Sequence, residues 1–572
     1  MRSLFRISIL AGLLSAVAAL TVRAGDPPWI ARGSREMVAA DSEFASRAGL
    51  EILQVGGNAI DAAAAVSFAL AVTRPYSTGL GGGGFMIARF ADGRVVVQDF
   101  RETAPAASTP DMYAKAAREH PGGPSPSEFG FLAVGVPGLV AGRCQALAQF
   151  GTMPLSRTLR RAIRLAREGL AVDEDYVKDS RDVLATYEKH PSLKTSCGYV
   201  YRTHLGSGTP RKIGDKLVQP ELGKLLERLA AEGPDLFYKG SVAQAIVREM
   251  KDHGGIITED DLATYRPKMR EPLLATYRDN KLILMPSPSS GGVALAETLN
   301  ILETLDLPAI VKHDPGLSVH YQVEAMKHAF ADRAEWLGDQ DFVEVPMERL
   351  LSKSFAAALA RQIEPDGVSE IQRYGSSGMP KDSGTSHFCI ADRFGNVVVS
   401  TETINTEFGS LAAVDEWGLI LNNQMDDFAA EPGKPNAFGL IQSDRNAVAP
   451  GKRPLSSMAP TVVLKGDKPF LLVGASGGPR IISSVLNVIL GVTDFELSLE
   501  DAIMRVRPHH QWQPDEVSFD REPPTELAAA LSKRGHKLSE KRKTGVVQAI
   551  LHDGEGWIGA SDPRKGGKPA GD

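Results

Sequence analysis

At Thr385 the chain changes character. The residues before it, 375–384, are glycine, serine, proline and small polar types with one methionine, a composition that predicts an exposed loop. From Thr385-Ser386-His387 onward the apolar residues recur with a period of two, whereas residues 133–364 are mostly helical in spacing with charges outside. The period-two part predicts hairpins at 387–391 with 397–402 and at 461–464 with 470–473, a strand at 417–421, and a helix at 481–490. The upstream part predicts helices at 42–55, 59–72 and around 319–336, a hairpin at 85–90 with 94–100, and a strand at 281–285. Neither a repeat nor a long Pro- or Ser-rich linker interrupts the 572 residues. The expectation is one mixed α and β domain in two pieces, divided at the loop from about 366 to 384.

A pliable loop running into a strand that starts with threonine suits a chain that cuts itself. Cleavage of the Gly384-Thr385 bond would give Thr385 a free α-amine beside its own hydroxyl. With an ordinary pKa of roughly 7.7 to 8.0, that amine is a general base near neutrality, so nucleophile and base reside in one residue. His387 invites a triad reading, but such a site needs no triad.

Other segments bear on chemistry. Gly79 to Gly84 formally satisfies a dinucleotide pattern but precedes a hairpin, so close backbone packing is the better reading. Arg101 stands where a carboxylate reader would be mounted at a strand end. Gly474-Ala475-Ser476-Gly477-Gly478 matches the nucleophile elbow of α/β-hydrolases, with His509, His510 and His536 downstream as possible partners. The same glycines at a helix N-terminus also suit an oxyanion. His320 and His328 share one predicted helix face and are read without a metal.

Residues 1–24 read as a secretory signal: Arg2 and Arg6, an apolar core at 7–22, and Val22-Arg23-Ala24 before Gly25. The core is shorter than a membrane span, so no anchor is expected after its removal. Its loss removes three positive charges and no acid, taking the formal charge from -6 to -9, which disfavours nucleic acid as a partner. Cys144, Cys197 and Cys389 allow at most one disulfide, have no metal-ligand spacing, and are read as packing residues.

Several motifs occur in order: 56–62, 79–85, 99–102, 135–138, Thr385-Ser386-His387, Asn422 to Phe428, Arg453 to Met458, Gly474 to Arg480 and Ser561-Asp562-Pro563-Arg564. Together they resemble the γ-glutamyltransferase family, also called γ-glutamyltranspeptidases or glutathione hydrolase proenzymes, over nearly all the chain beyond the signal. The resemblance implies an α+β N-terminal nucleophile hydrolase fold, a four-layer αββα sandwich. It implies self-cleavage into a large subunit, 25–384, and a small catalytic subunit, 385–572, with no cofactor or metal. Thr385 would be nucleophile and base, with Thr403 positioning its hydroxyl. Arg101, Ser456 and Ser457 would hold the substrate α-carboxylate; Asn405, Gln424 and Asp427 would hold its α-amine. Gly477 and Gly478 would form the oxyanion hole. The implied donor is glutathione or a similar γ-glutamyl amide, the acceptor water, an amino acid or a peptide, and the location periplasmic or secreted. Phe438 stands at a lid position where the family often carries Tyr, which leaves the balance of transfer and hydrolysis open. A glutaryl- or cephalosporin-type acylase of the same fold, a Ser476 α/β-hydrolase and a non-catalytic relic are the alternatives.

Overall fold

The alternation after Thr385 forms an antiparallel hairpin of Ser386–Ala391 and Val397–Thr403, with Phe388 opposite Ser400. The computed structural model describes residues 25–370, 384–429, 436–542 and 545–572. The expected signal and positions 371–383 of the loop ahead of Thr385 lie outside the described residues.

The hairpin is the middle of a seven-stranded sheet running Ala570–Gly571, Met37–Ala40, Ser386–Ala391, Val397–Thr403, Gly83–Arg89, Val95–Asp99, Lys268–Arg270. A second seven-stranded sheet runs Ile30–Gly33, Trp557–Ser561, Val546–His552, Lys468–Ser476, Thr461–Lys465, Asn280–Leu284, Leu273–Tyr277. All pairings within both are antiparallel. Each sheet draws strands from both sides of Thr385, so the two pieces share one body.

Side-chain alternation sets the layers. Phe388, Ile390 and Val398 enter the core shared with the Ala59–Thr73 helix, while Cys389, Ala391, Val397 and Val399 face the core of the second sheet. The helices Gly291–Glu303 and Arg480–Thr493 pack on that second sheet. The result is a helix–sheet–sheet–helix sandwich. Every residue of Ala59–Thr73 is buried, and Asn58 starts the helix by accepting from Ile60 and Asp61 N–H while Asp61 accepts from Asn58 N–H.

The expected strand at 417–421 is shorter than its pattern. Asp415–Trp417 is a 3-10 turn, Gly418 takes φ 58°, and only Leu419–Ile420 is strand. The glycine run serves backbone contact: a Cβ on Gly81 would lie 2.1 Å from Ile420 O and one on Gly82 2.0 Å from Thr403 O. Cys144, Cys197 and Cys389 are free thiols. Among the described residues no helix is long and apolar enough to cross a membrane.

Candidate active site

Just ahead of the Ser386–Glu402 pair, Thr385 comes beside Thr403, with their hydroxyl oxygens 3.2 Å apart. Thr403 Oγ1 donates to Gly384 O at 2.6 Å and accepts from Asn405 N–H at 2.8 Å. Its one hydrogen is thereby committed to the Gly384 carbonyl, so towards Thr385 it acts as acceptor. The arrangement aligns the Thr385 hydroxyl and polarises the carbonyl of the preceding residue. Asn405 reaches this geometry at φ 84°, a left-handed conformation open to asparagine.

Two further features fix the junction: Lys565, which sequence reasoning missed, and the packing of Gly384. Lys565 Nζ donates to Thr385 O and Ser77 Oγ, each at 3.1 Å, and pairs with Asp41 Oδ2 at 2.7 Å. Gly384 is packed so that a Cβ would fall 2.5 Å from Tyr76 O and 2.9 Å from Ser77 Cα. Gly384→Ala is expected to displace the Gly384 carbonyl and to slow the cut expected between Gly384 and Thr385 by about 10–100-fold, read as a time course of precursor loss on a denaturing gel.

The charged end lies beside the hydroxyls. Arg101 is buried, donates from Nε to Pro454 O at 3.3 Å, and pairs through Nη2 with Asp427 Oδ2. Gln424 Nε2 also donates to Asp427 Oδ2, at 3.0 Å. Asn405 Nδ2 donates to Asn423 O at 3.0 Å. Arg101, Thr385, Thr403, Asn405, Gln424, Asp427, Ser456, Ser457 and Gly478 line one cavity of ≈ 20 Å³. That is room for about one water, and the Arg101–Asp427 ion pair spans it.

Gly477 and Gly478 form the turn between Lys468–Ser476 and Arg480–Thr493, at φ 117° and 56°. Only Gly478 of the two lines the cavity. The Phe438 ring lies over it, so close that a Cβ on Gly478 would sit 2.6 Å from Phe438 Cδ1. Asp426 anchors this flap from below, accepting from Ser127 Oγ at 2.7 Å and Ala437 N–H at 2.9 Å, and burial lifts its pKa to about 7. The sequence reading also passed over Arg333. It donates from Nε to Ser290 Oγ at 2.9 Å, and Ser290 Oγ donates to Ser456 O at 2.6 Å. Burial lowers the Arg333 pKa to about 10.

Glu102, next to Arg101, is fully enclosed, and neither carboxylate oxygen has a hydrogen-bond partner. Burial raises its pKa to about 8 from 4.5, against the opposing pull of Arg101. A carboxyl whose folded pKa is raised binds its proton better folded than unfolded, so stability falls as pH rises through the window from 4.5 to about 8. Glu102→Gln should flatten that fall, which melting curves from about pH 5 to about pH 9 will show.

The competing nucleophile readings do not assemble. Ser476 ends a strand with antiparallel neighbours on both sides, unlike the parallel sheet of an α/β-hydrolase. His509, His510 and His536 are engaged by Ser483, Asp515 and His320 respectively. His387 bonds to Thr401 Oγ1 at 2.8 Å, and burial drives its pKa down to about 3, so it is a neutral packing residue beneath Gly474.

Comparison with known proteins finds relatives that cover most of the chain. The glutathione hydrolase proenzyme of Escherichia coli (strain K12) is 42% identical over 543 residues, 93% of this chain and 91% of that protein. The acylase ACY 1 proenzyme of Pseudomonas sp. (strain SE83) is 37% identical over 94% of each. The crystal structure of cephalosporin acylase from Bacillus halodurans superposes with a TM-score of 0.82 at 28% identity, over 96% of this chain and 97% of that one. The sandwich is thus that of the N-terminal nucleophile hydrolases. The gamma-glutamyltranspeptidase family model matches residues 45–572, from the first buried helix through the closing strand, and to that family this chain belongs.

Proposed function

We propose that the protein is a self-processed γ-glutamyl hydrolase and transferase, acting on glutathione and related γ-glutamyl amides. The observation that carries this reading is the buried Arg101–Asp427 pair, backed by Gln424, in the cavity that holds Thr385. The α-end of a γ-glutamyl group is a zwitterion. Its carboxylate can take Arg101 and its ammonium Asp427, so one internal ion pair is exchanged for two external ones with no net charge buried. Ser456 and Ser457 supply hydroxyls on the carboxylate side, and Asn405 an amide near the ammonium. The cavity opens as the pair separates.

In the precursor the Thr385 hydroxyl attacks the Gly384 carbonyl, whose oxygen is held by Thr403. The acyl group passes from the Thr385 nitrogen to Oγ1, which frees the α-amine, and water then hydrolyses the ester to give the Gly384 carboxylate and restore the Thr385 hydroxyl. That splits the chain into 25–384 and 385–572. In turnover the amine takes the hydroxyl proton as Oγ1 attacks the substrate γ-carbonyl, and the amide Gly478 N–H, with Gly477 behind it, receives the developing oxyanion. The amine leaving group departs with that proton. Water or the amine of an amino acid or peptide then takes the γ-glutamyl group from the ester. Residues 1–24 support export, to the periplasm or the exterior.

A second reading, an acylase for glutaryl-type amides, is favoured by the likeness to acylase ACY 1 and to the cephalosporin acylase. A glutaryl group carries the carboxylate but not the ammonium, and so would leave Asp427 without its charge partner. Turnover of γ-glutamyl and glutaryl anilides by the purified protein separates the two: a preference for γ-glutamyl of about tenfold or more supports the first, parity or reversal the second.

A further inference from the structure

Away from the Thr385 cavity, the Pro315–Trp336 helix carries His320 and Glu324 one turn apart, facing His536 beyond the Thr525–Lys533 helix. Their ligand atoms lie within 4.8 Å of one another, and all three side chains are buried. From these residues we propose a binding site for a divalent transition-metal ion of the zinc class, built from His320 Nδ1, His536 Nε2 and a Glu324 carboxylate oxygen.

The hydrogen bonds around the cluster leave donors pointing inward. His320 Nε2 is 2.9 Å from Glu364 O. A carbonyl only accepts, so Nε2 carries the hydrogen and Nδ1 keeps its lone pair. That lone pair accepts from His536 Nε2–H, 2.7 Å away, and His536 takes its other tautomer, with the hydrogen on Nδ1, when Nε2 turns to a metal. A ring nitrogen bound to a backbone carbonyl with the other turned inward is the usual arrangement of a ligating histidine. Glu324 Oε2 accepts from Ser369 N–H at 2.9 Å, while Oε1 is buried with no hydrogen-bond partner. The nearest ammonium, Lys327 Nζ, is 3.9 Å from Oε1 and is engaged by Asp515 at 3.0 Å. Burial also lowers the pKa of both histidines, which favours the neutral imidazole a metal needs.

Two imidazole nitrogens and one carboxylate oxygen suit zinc or its neighbours rather than magnesium or calcium, which take oxygen sets. Nitrogens bound tetrahedrally at about 2.0–2.1 Å stand roughly 3.3 Å apart, so the rings would separate by about half an ångström on loading. A water completes four-coordination. The sequence reading passed over Glu324, four residues from His320, and had no means of bringing His536 to them.

The placement suggests what the ion does. His320 and Glu324 precede Thr385, His536 follows it, and the groups that orient the ligands, Glu364 and Ser369, lie close to the loop ahead of Thr385. A bound ion would clip the end of the large chain to the small one once the chain is split. The clip rests on the proposed processing; ion binding does not, and Thr385→Ala precursor should bind equally.

The test uses untagged protein stripped with chelator and titrated with zinc ion against a fluorescent chelator, with melting curves alongside. One tightly bound equivalent in both split and Thr385→Ala protein, a melting point raised by zinc, and affinity at least about tenfold weaker in Glu324→Gln and in His536→Ala are expected. Glu324→Gln preserves side-chain shape and serves alone should His536→Ala fail to fold. Zinc affinity in Glu324→Gln equal to that of the wild type, or no zinc-dependent melting shift in the wild type, overturns the site. Binding by the wild type but not by Thr385→Ala overturns its independence from processing.

Discussion

Thr385→Ala is expected to stay a single chain and to turn over γ-glutamyl anilide at least about 10³-fold more slowly than the wild type. The reason is local. Thr385 Oγ1 is 3.2 Å from Thr403 Oγ1, which holds the Gly384 carbonyl at 2.6 Å. Alanine removes the attacking atom for both self-cleavage and turnover. Thr385→Ser keeps an oxygen but loses the γ-methyl group that restricts its rotamer, so it should split slowly and retain part of the activity. Thr403→Val should separate the two roles of that residue. It removes the bond to Gly384 O and the acceptor for Thr385, and is expected to slow splitting and turnover together by about 10²–10³-fold, as loss of an oxyanion-type donor does elsewhere. Gel time courses and anilide assays on the same preparations check all three.

The second large effect concerns the ion pair. If Asp427 holds the substrate ammonium, Asp427→Asn leaves that charge without its counter-ion and leaves Arg101 with the more distant Glu102 as its neighbouring carboxyl. A lost charge-assisted bond in a desolvated pocket costs on the order of 1 to 3 kcal/mol, which is about 5- to 150-fold in kcat/KM for γ-glutamyl donors. Glutaryl donors, which lack the ammonium, should lose less, so the ratio between the two anilides narrows. Arg101→Ala should harm both, because both present the carboxylate, and it also strands Asp427. A ratio unchanged by Asp427→Asn would remove Asp427 from the role of amine reader and favour the acylase reading.

What could be read in the sequence was local. The period-two run after Thr385 predicted the hairpin that brings Thr385 next to Thr403, because alternation is encoded within about twenty residues. The helix expected at 59–72 was legible for the same reason and spans Ala59–Thr73. The seams were not. Ile30–Gly33 pairs with Trp557–Ser561 at opposite ends of the chain, and strands of four and five residues, each partly exposed, give little period to read. Lys565 reaching Thr385 O, and His536 reaching His320, are contacts between distant segments that no local pattern announces. Motif order named the candidate site residues, but it could not show that Arg101 and Asp427, 326 positions apart, neutralise each other when the site is empty. That pairing needed side-chain placement, and it carries most of the functional argument.

The N-terminal sequence of the smaller chain in purified, active protein tests the central claim most directly. The account predicts a fragment of 188 residues, 385–572, beginning Thr-Ser-His-Phe-Cys. Full activity in an unsplit chain, or a smaller chain that begins at any residue other than Thr385, would contradict it.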